Sequence, residues 1–229
     1  IPEIMMPREG TDLSKWAVIA CDQYTSQPEY WAETDRIVGD APSTLRLTLP
    51  EVYLEDADVA SHIERIHKTM QQYVQDGTLR TLPAGAVLTE RWSGGSAPRR
   101  GIVLAVDLEA YEYTPGSASL IRPTEKTVVE RIPPRLKVRE GACLELPHIM
   151  ILIDDPDRQI IEPLFEKTGS FSKLYDTDLM QNGGHITGWF LPNGPETEAI
   201  EAKLEALCDR ETFNKKYGCT DAQALLPYA

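Results

Sequence analysis

Three short polar segments carry the residue types from which a binding or catalytic site can be built. Residues 22–24 are Asp-Gln-Tyr, residues 122–127 are Arg-Pro-Thr-Glu-Lys-Thr, and residues 182–185 are Asn-Gly-Gly-His. The middle segment combines two cations, a carboxylate and two hydroxyls, which suits it to grip a phosphate or carboxylate and to position a general base. It fits a helix start with Thr124 as N-cap equally well, and the residue types do not decide between the two interpretations.

These segments supply the candidate site residues. An unpaired buried polar group costs on the order of 1–3 kcal/mol, so side chains this rich in charge and amide need either solvent or mutual pairing. We therefore predict that at least two of the segments face one cleft, where Arg122 contacts an anion and Glu125 or Asp22 acts as the general base. The predicted substrate-binding residues are Tyr24, Arg122, Lys126, Thr127, Asn182 and His185.

Two other patterns are better explained by local structure than by a ligand. The carboxylates of Asp154, Asp155 and Asp157 suit Mg²⁺, but their position around Pro156 is typical of a solvated turn. Asn182-Gly183-Gly184 can expose backbone N–H groups to an anion, although a hairpin turn explains the same residues. The standard phosphate-loop, dinucleotide, zinc-protease and serine-hydrolase motifs are absent from the sequence.

The cysteines indicate reduced thiols and no metal centre. Cys21, Cys143, Cys208 and Cys219 form no CxxC pair and have no histidine at zinc-finger spacing. We therefore predict that the chain binds no metal tightly and that the protein is cytoplasmic.

Composition and charge exclude two classes of partner. The chain of 229 residues is 41% hydrophobic and 26% charged, with a formal net charge of −13. Such a surface repels phosphate backbones, and the one basic segment, 131–139, is short and interrupted by two prolines, so we predict no nucleic-acid partner. No apolar run approaches the ~18 residues of a membrane span, so we also predict no membrane partner. Oligomeric state cannot be read from the sequence.

Helices and strands alternate without a strict βαβ rhythm, which predicts one α/β or α+β unit with a mixed sheet and flanking helices. Spacings of three and four between apolar residues place the firmest helix at 56–75. Further helices are predicted at 28–38, 158–167 and 196–213, and a helical stretch from Thr127. Strands are predicted at 16–21, 45–49, 86–92 paired with 101–108, 148–153, and 172–180 paired with 185–191.

Several blocks resemble a widespread bacterial family known only as a domain of unknown function. They are Lys-Trp-Ala-Val-Ile-Ala-Cys-Asp-Gln-Tyr-Thr-Ser-Gln-Pro-Glu-Tyr-Trp at 15–31, Pro-Glu-Val-Tyr at 50–53, Ile-Arg-Pro-Thr-Glu-Lys-Thr at 121–127, Leu-Tyr-Asp at 174–176 and Asn-Gly-Gly-His-Ile at 182–186. The resemblance runs along essentially the whole chain. It identifies the family without naming an activity.

The resemblance carries two further expectations. In that family a Gly-Asp-Gly-Asn-His-Ser segment follows a stretch like residues 224–229, so we expect this unit of 1–229 to be the N-terminal part of a longer protein and 224–229 to form a strand at a sheet edge. The family is also distantly similar to the sulfiredoxin and chromosome-partition-protein superfamily, which includes a free-serine kinase.

That similarity implies a nucleotide-dependent phosphotransferase or hydrolase acting on a small polar metabolite, with Mg²⁺ accompanying the nucleotide and the activity incomplete in this fragment. A non-catalytic metabolite-binding or regulatory domain and a protein-interaction module are the alternatives.

Overall fold

The computed structural model describes residues 1–95, 97–112, 114, 119–123, 128–218 and 226–228, with only the backbone at 122, 123 and 226–228. Within these residues the chain forms one four-stranded sheet, two two-stranded sheets and seven α-helices, which confirms the predicted mixture of helices and sheet. The helices are α1 Leu13–Trp16, α2 Pro28–Val38, α3 Val59–Gln75, α4 Ile132–Arg139, α5 Glu162–Phe165, α6 Pro195–Leu207 and α7 Arg210–Tyr217. The strands are β1 Met5–Pro7, β2 Leu79–Thr81, β3 Gly85–Trp92, β4 Arg99–Val103, β5 Ile121–Pro123, β6 Ser172–Leu179, β7 Gly184–Pro192 and β8 Leu226–Tyr228.

The four-stranded sheet has the order β4-β3-β7-β6, and every neighbouring pair is antiparallel. Both predicted hairpins, β3 with β4 and β6 with β7, are therefore confirmed. In the central pair, Trp92 lies opposite His185 and Leu88 lies opposite Trp189. Because successive strand residues point to opposite faces, these four side chains share one face, and Arg91 lies on the other.

The two faces of this sheet have different coverings. On the face of Leu88, α5 and α6 supply Leu164 and Ile200 to a core that also contains Leu191. Near Arg91, on the opposite face, α2 approaches, and the Gln181 amide donates to the Thr34 hydroxyl of α2 at 2.6 Å. The region around Arg91 is therefore bounded by a helix, the sheet and the β6–β7 turn.

A second core forms around α3. Four of its residues, Ile63, Ile66, Met70 and Tyr73, are buried at spacings of three and four, as the helix prediction requires. They pack against Trp16, Leu47, Leu49 and Leu79, and partly buried residues of the segment from α4 to Leu146 cover the cluster.

Two predicted strands near the N-terminus are wrong. Trp16, the first residue of the predicted strand 16–21, is instead the last residue of α1. This helix starts where the Asp12 carboxylate accepts from the Ser14 N–H. The carbonyl of Trp16 then accepts from the hydroxyls of Ser43 and Thr44, so side chains satisfy a group that a strand would pair in a ladder. Residues 45–49 likewise enter a 3₁₀ turn, Thr44–Arg46, although Leu47 and Leu49 are buried.

Later in the chain, residues 148–153 contain no strand beyond a single bridge residue, and Ile149, Met150 and Leu152 are exposed. The predicted helix at 158–167 is reduced to α5. The predicted helix at 196–213 is divided into α6 and α7, because the Asp209 carboxylate accepts from the Thr212 N–H and starts a new helix.

The remaining sheets are short. β1 and β2 are antiparallel, while β5 and β8 are parallel, so residues 226–228 do form the predicted strand; 224, 225 and 229 lie outside the described residues. Among the described helices, none has the length and apolarity needed to cross a membrane.

Candidate functional site

A buried carboxylate marks the first candidate site. Glu51 opens the 3₁₀ turn Glu51–Tyr53 after Pro50, and its backbone N–H donates to the carbonyl oxygen of Cys21 at 2.8 Å. This bond joins the turn to the polar segment that begins at Asp22. Only 4% of the Glu51 side chain is exposed, so its charge needs partners within the protein.

Two arginines supply those partners: Arg131, the N-cap of α4, and Arg135 in the first turn of the helix. The Nη1 of Arg131 donates to Oε2 of Glu51 at 3.0 Å, and the Nη2 of Arg135 donates to Oε1 in a short contact. Residues four apart lie on the same side of a helix, which lets both guanidinium groups reach one carboxylate. The arginine side chains remain 47% and 42% exposed, so part of each guanidinium faces solvent.

Glu51 alone does not neutralise both arginines. Two guanidinium cations share this one carboxylate, and the charge of the exposed Asp22 also acts on the neighbouring Cys21 thiol. Each arginine has five N–H donors, and the carboxylate occupies only some of them. Because Glu51 holds both guanidinium groups in place, the remaining donors are able to bind an oxyanion, and we refer to Arg131 and Arg135 together as the receptor.

The thiol of Cys21 next to this site is unsuited to act as a nucleophile at neutral pH. Burial, followed by the negative charges of Asp22 and Glu51, raises the pKa of Cys21 to about 11, and Arg135 opposes them only in part. A thiol with this pKa stays protonated, whereas the reactive form is the thiolate. We therefore assign no nucleophilic role to Cys21.

Asp22 directly follows Cys21 in the sequence, and the segment 122–127 precedes Arg131. Asp22 is exposed, and its carboxylate accepts from the Gln23 side-chain amide at 3.2 Å. The backbone of Arg122 lies in β5, opposite Pro227 of β8, while its side chain and residues Glu125, Lys126 and Thr127 lie outside the described residues. Only four positions of sequence separate Thr127 from Arg131.

A second group of polar residues lies around Tyr30 of α2. The rings of Tyr24 and Tyr30 are stacked, with centroids 3.9 Å apart and planes 11° from parallel. The carbonyl of Tyr30 accepts from the Gln181 amide at 3.3 Å, and Gln181 directly precedes Asn182 in the β6–β7 turn. Tyr24 of the first predicted segment and Gln181, the residue before the third segment, thus lie beside one helix.

The β6–β7 turn has a fixed backbone. Gln181 and Asn182 have φ values of 54° and 58°, and Gly184 has φ 91°. A Cβ added at Gly184 would lie 1.8 Å from the carbonyl oxygen of Trp92, so only glycine fits there. This requirement positions Asn182 and the start of β7.

Arg91 lies beside this turn and was not predicted. Its Nη2 donates to the Gly183 carbonyl at 3.3 Å, and its Nε is buried with no hydrogen-bond partner among the described residues. Within the same part of the chain, no carboxylate lies within 4.0 Å of its guanidinium. Burial, together with the positive charge of Arg99, lowers the pKa of Arg91, as expected of a cation without a counterion.

The fold places His185 apart from Arg91, on the other face of the sheet. Its Nδ1 and Nε2 lie 2.7 Å from carboxylate oxygens of Asp178 and Asp176 respectively. Hydrogen bonds to Asp178 and then to Asp176 raise the pKa of His185, so the imidazolium form is favoured. Lys173 also pairs with Asp176, at 2.5 Å.

Two carboxylates of the acidic turn at 154–157 accept hydrogen bonds from other parts of the protein. The hydroxyl of Tyr217 donates to the Asp154 carboxylate at 2.5 Å, and Asp155 accepts from the Ile160 N–H at 2.8 Å. In the part of the chain that the structure describes, no group of three or more His, Cys, Asp or Glu residues is arranged to hold a metal ion.

Sequence reasoning missed the residues that form the receptor. Arg131 and Arg135 were considered only as part of a basic segment for nucleic acid. Glu51 appeared only within a family block, although a carboxylate between Leu49-Pro50 and Val52-Tyr53 signals a charge that needs a buried partner. No local signal indicates which cation that partner is.

Comparison with known proteins gives one match. No curated protein and no solved structure matches the chain. The sequence profile of the family described as "Protein of unknown function (DUF1015)" matches residues 5–210, which is most of the chain and includes both candidate sites. The chain therefore belongs to the DUF1015 family.

Proposed function

We propose that this domain binds a small phosphate-bearing metabolite through Arg131 and Arg135. The observation that carries the proposal is that one buried carboxylate holds two half-exposed guanidinium groups at a fixed spacing. Arginine donates to phosphate oxygens in pairs, and a prearranged pair loses little conformational entropy on binding. The chain as a whole carries a formal net charge of −13, so any attraction for an anion is local to these two guanidinium groups.

The proposed activity is that of a nucleotide-dependent phosphotransferase or hydrolase acting on a small polar metabolite. Asp22 supports this role because its carboxylate is exposed and is adjacent in sequence to Cys21, which is bonded to the Glu51 turn. Asp22 is the proposed general base, with Glu125 as the other candidate, and Arg122, Lys126 and Thr127 are proposed as further phosphate contacts. Mg²⁺ is the metal that would accompany a nucleotide in such a reaction.

The proposal includes the distant similarity to the superfamily that contains a free-serine kinase, because that similarity implies the same kind of reaction. A cytoplasmic location is a further part, supported by the free thiols of Cys21, Cys143 and Cys208.

The test is the binding of inorganic phosphate, measured by isothermal titration calorimetry on this chain. Arg131→Lys keeps a cation beside Glu51 but loses the planar fork that binds two oxygens. We expect the variant to bind phosphate at least tenfold more weakly, with an unchanged urea midpoint to show that the fold is intact.

Arg139→Lys is the matched control. Arg139 lies on the same helix, four residues beyond Arg135, and pairs with the exposed Glu145 instead of a buried group. We expect it to leave phosphate affinity unchanged. Equal affinity of the wild type and Arg131→Lys, or no binding by the wild type, would contradict the proposal.

A protein-interaction module is the second candidate. It is favoured by exposed apolar residues at helical spacing before and along α4, namely Val128, Val129, Ile132 and Leu136. Monomeric proteins seldom expose a contiguous apolar row of this kind. Sedimentation velocity of wild type and Val129→Ser plus Leu136→Ser distinguishes the candidates: association that the variant abolishes supports the module, and a wild type that stays monomeric at high concentration counts against self-association.

A further inference from the structure

We propose that the Tyr24–Tyr30 stack is the seat for a planar ring of the same ligand, so that the ligand is a nucleotide-like compound carrying both a phosphate and a heteroaromatic base. This inference rests on the proposed function, since it takes Arg131 and Arg135 as the phosphate receptor. It adds a second contact region formed by different residues.

The Tyr24 ring is presented to solvent in a fixed orientation. Tyr30 covers one of its faces, with ring centroids 3.9 Å apart, and Tyr24 as a whole remains 41% exposed, so we take its other face as the one that receives the ligand ring. Its backbone has φ 53°, a conformation that a bulky residue seldom adopts. Backbone hydrogen bonds nevertheless close the chain on both sides of Tyr24. The Gln23 N–H donates to the Ala20 carbonyl, and the Gln27 N–H donates to the Tyr24 carbonyl. An accessible aromatic face held this way suits stacking of a flat ring.

Tyr30 contacts a buried ring and a turn residue, which makes the stack rigid. Its ring meets Trp31 edge to face, with centroids 5.5 Å apart, and Trp31 is only 1% exposed. Its backbone carbonyl accepts from Gln181 at 3.3 Å. A platform arranged before binding loses less conformational entropy when the ligand arrives.

Arg91 lies in the same region as the stack. It donates to the Gly183 carbonyl, two residues beyond Gln181, whose amide donates to the Tyr30 carbonyl. Burial raises the pKa of the Tyr30 hydroxyl, and the charge of Arg91 opposes that rise in part. Its Nε is buried without a partner, and no described carboxylate neutralises it. A half-buried cation of this kind repels cationic rings and favours rings with oxygen or nitrogen acceptors at the edge. Neutral nucleobases meet that requirement.

The stack and the phosphate receptor are neighbours along the chain. Tyr24 is three residues from Cys21, so their Cα atoms are at most about 11 Å apart. The Cys21 carbonyl accepts from the Glu51 N–H at 2.8 Å, and Arg135 is close enough to Cys21 to affect its thiol. We therefore take a mononucleotide as the ligand that contacts both regions.

The test compares AMP with ribose 5-phosphate, which lacks the base, by calorimetry on this chain. We expect AMP to bind at least tenfold more tightly than ribose 5-phosphate to the wild type. Tyr24→Ala removes that preference and leaves the affinity for ribose 5-phosphate unchanged, while Tyr24→Phe keeps the preference because the ring is retained. Tyr217→Ala, which removes a similarly exposed tyrosine of α7, leaves both affinities unchanged.

The outcomes separate this inference from the proposed function. If ribose 5-phosphate binds but AMP binds no better, or if Tyr24→Ala keeps the preference, the ring seat is wrong and the phosphate receptor stands. If AMP binds in a manner that depends on Tyr24 while inorganic phosphate and ribose 5-phosphate do not bind, the ring seat stands and the receptor is wrong. If none of the three binds, both are overturned.

Discussion

Two charged centres of this molecule have the same arrangement of charges but differ in how deeply the central side chain is buried. At the first, the Glu51 carboxylate accepts from Arg131 and Arg135; at the second, the His185 imidazole lies between Asp176 and Asp178. In each, one group is held by two partners of opposite charge. The central side chain is 4% exposed in the first and 38% exposed in the second.

Depth decides what each centre contributes. A buried carboxylate cannot recover its hydration in the folded protein, so it depends on its two partners. An exposed imidazolium exchanges protein contacts for water at little cost, and salt screens its interactions. The first centre is therefore expected to fix the position of α4, whereas the second is expected to adjust the charge of one hairpin with pH.

The largest expected effect comes from removing both cations of the buried centre. Arg131→Gln plus Arg135→Gln leaves the Glu51 carboxylate buried and without a counterion. Breaking a buried ion pair in this way typically costs about 3–5 kcal/mol. We expect the free energy of unfolding in urea to fall by that amount.

Arg139→Gln is the control for this double variant, because Arg139 lies on the same helix and its partner Glu145 is exposed. An exposed pair contributes at most about 1 kcal/mol, so the control should lose no more than that. Equal losses in the double variant and the control would show that burial of Glu51 does not distinguish the two kinds of pair.

The next effect comes from removing the carboxylate instead of the cations. In Glu51→Gln the two arginines keep their access to water, since almost half of each side chain is already exposed. We expect a loss of about 1–3 kcal/mol, the range for a disrupted buried polar group, and a smaller loss than in the double arginine variant. Urea unfolding of both variants in one buffer measures the order, and a larger loss in Glu51→Gln would reverse the comparison.

Features set by local sequence could be predicted. Helix α3 follows from apolar residues at spacings of three and four, and the β6–β7 hairpin follows from two alternating runs around Asn182-Gly183-Gly184. These patterns depend on residues within a few positions of one another. Residues 148–153 show the limit, because an apolar run predicts burial but not whether a neighbouring strand is available for pairing.

The candidate site depends on contacts between distant parts of the chain. Glu51 meets Arg131 across 80 positions and Arg135 across 84, and nothing in the local pattern around Glu51 selects these two cations. Arg91 reaches Gly183 across 92 positions. Sequence reasoning found the polar segments next to Cys21 and at Gly183, and not the charged residues that make these contacts. The roles assigned to the candidate site residues all stay predictions: Asp22, Tyr24, Arg122, Glu125, Lys126, Thr127, Asn182 and His185.

The smallest expected effect is a pH dependence at the exposed centre. Hydrogen bonds to Asp178 and Asp176 raise the pKa of His185 above its ordinary value of about 6.5, so the folded state holds this proton more tightly than the unfolded state. The resulting stabilisation is complete below about pH 6.5 and is lost as pH rises through the raised pKa of the folded protein. Since His185 is more than one third exposed, and Lys173 already pairs with Asp176, we expect the contribution to stay below about 1 kcal/mol.

Urea unfolding of wild type and His185→Gln at pH 5.5 and 8.5 measures this contribution as the difference between their pH responses. We expect the wild type to lose more stability on going to pH 8.5. The same measurement in 1 M salt should reduce the difference, because salt screens exposed charges and hardly reaches a buried one. If 1 M salt leaves the difference in pH response unchanged, His185 depends on its partners as Glu51 does. The two centres would then not differ because of how deeply they are buried.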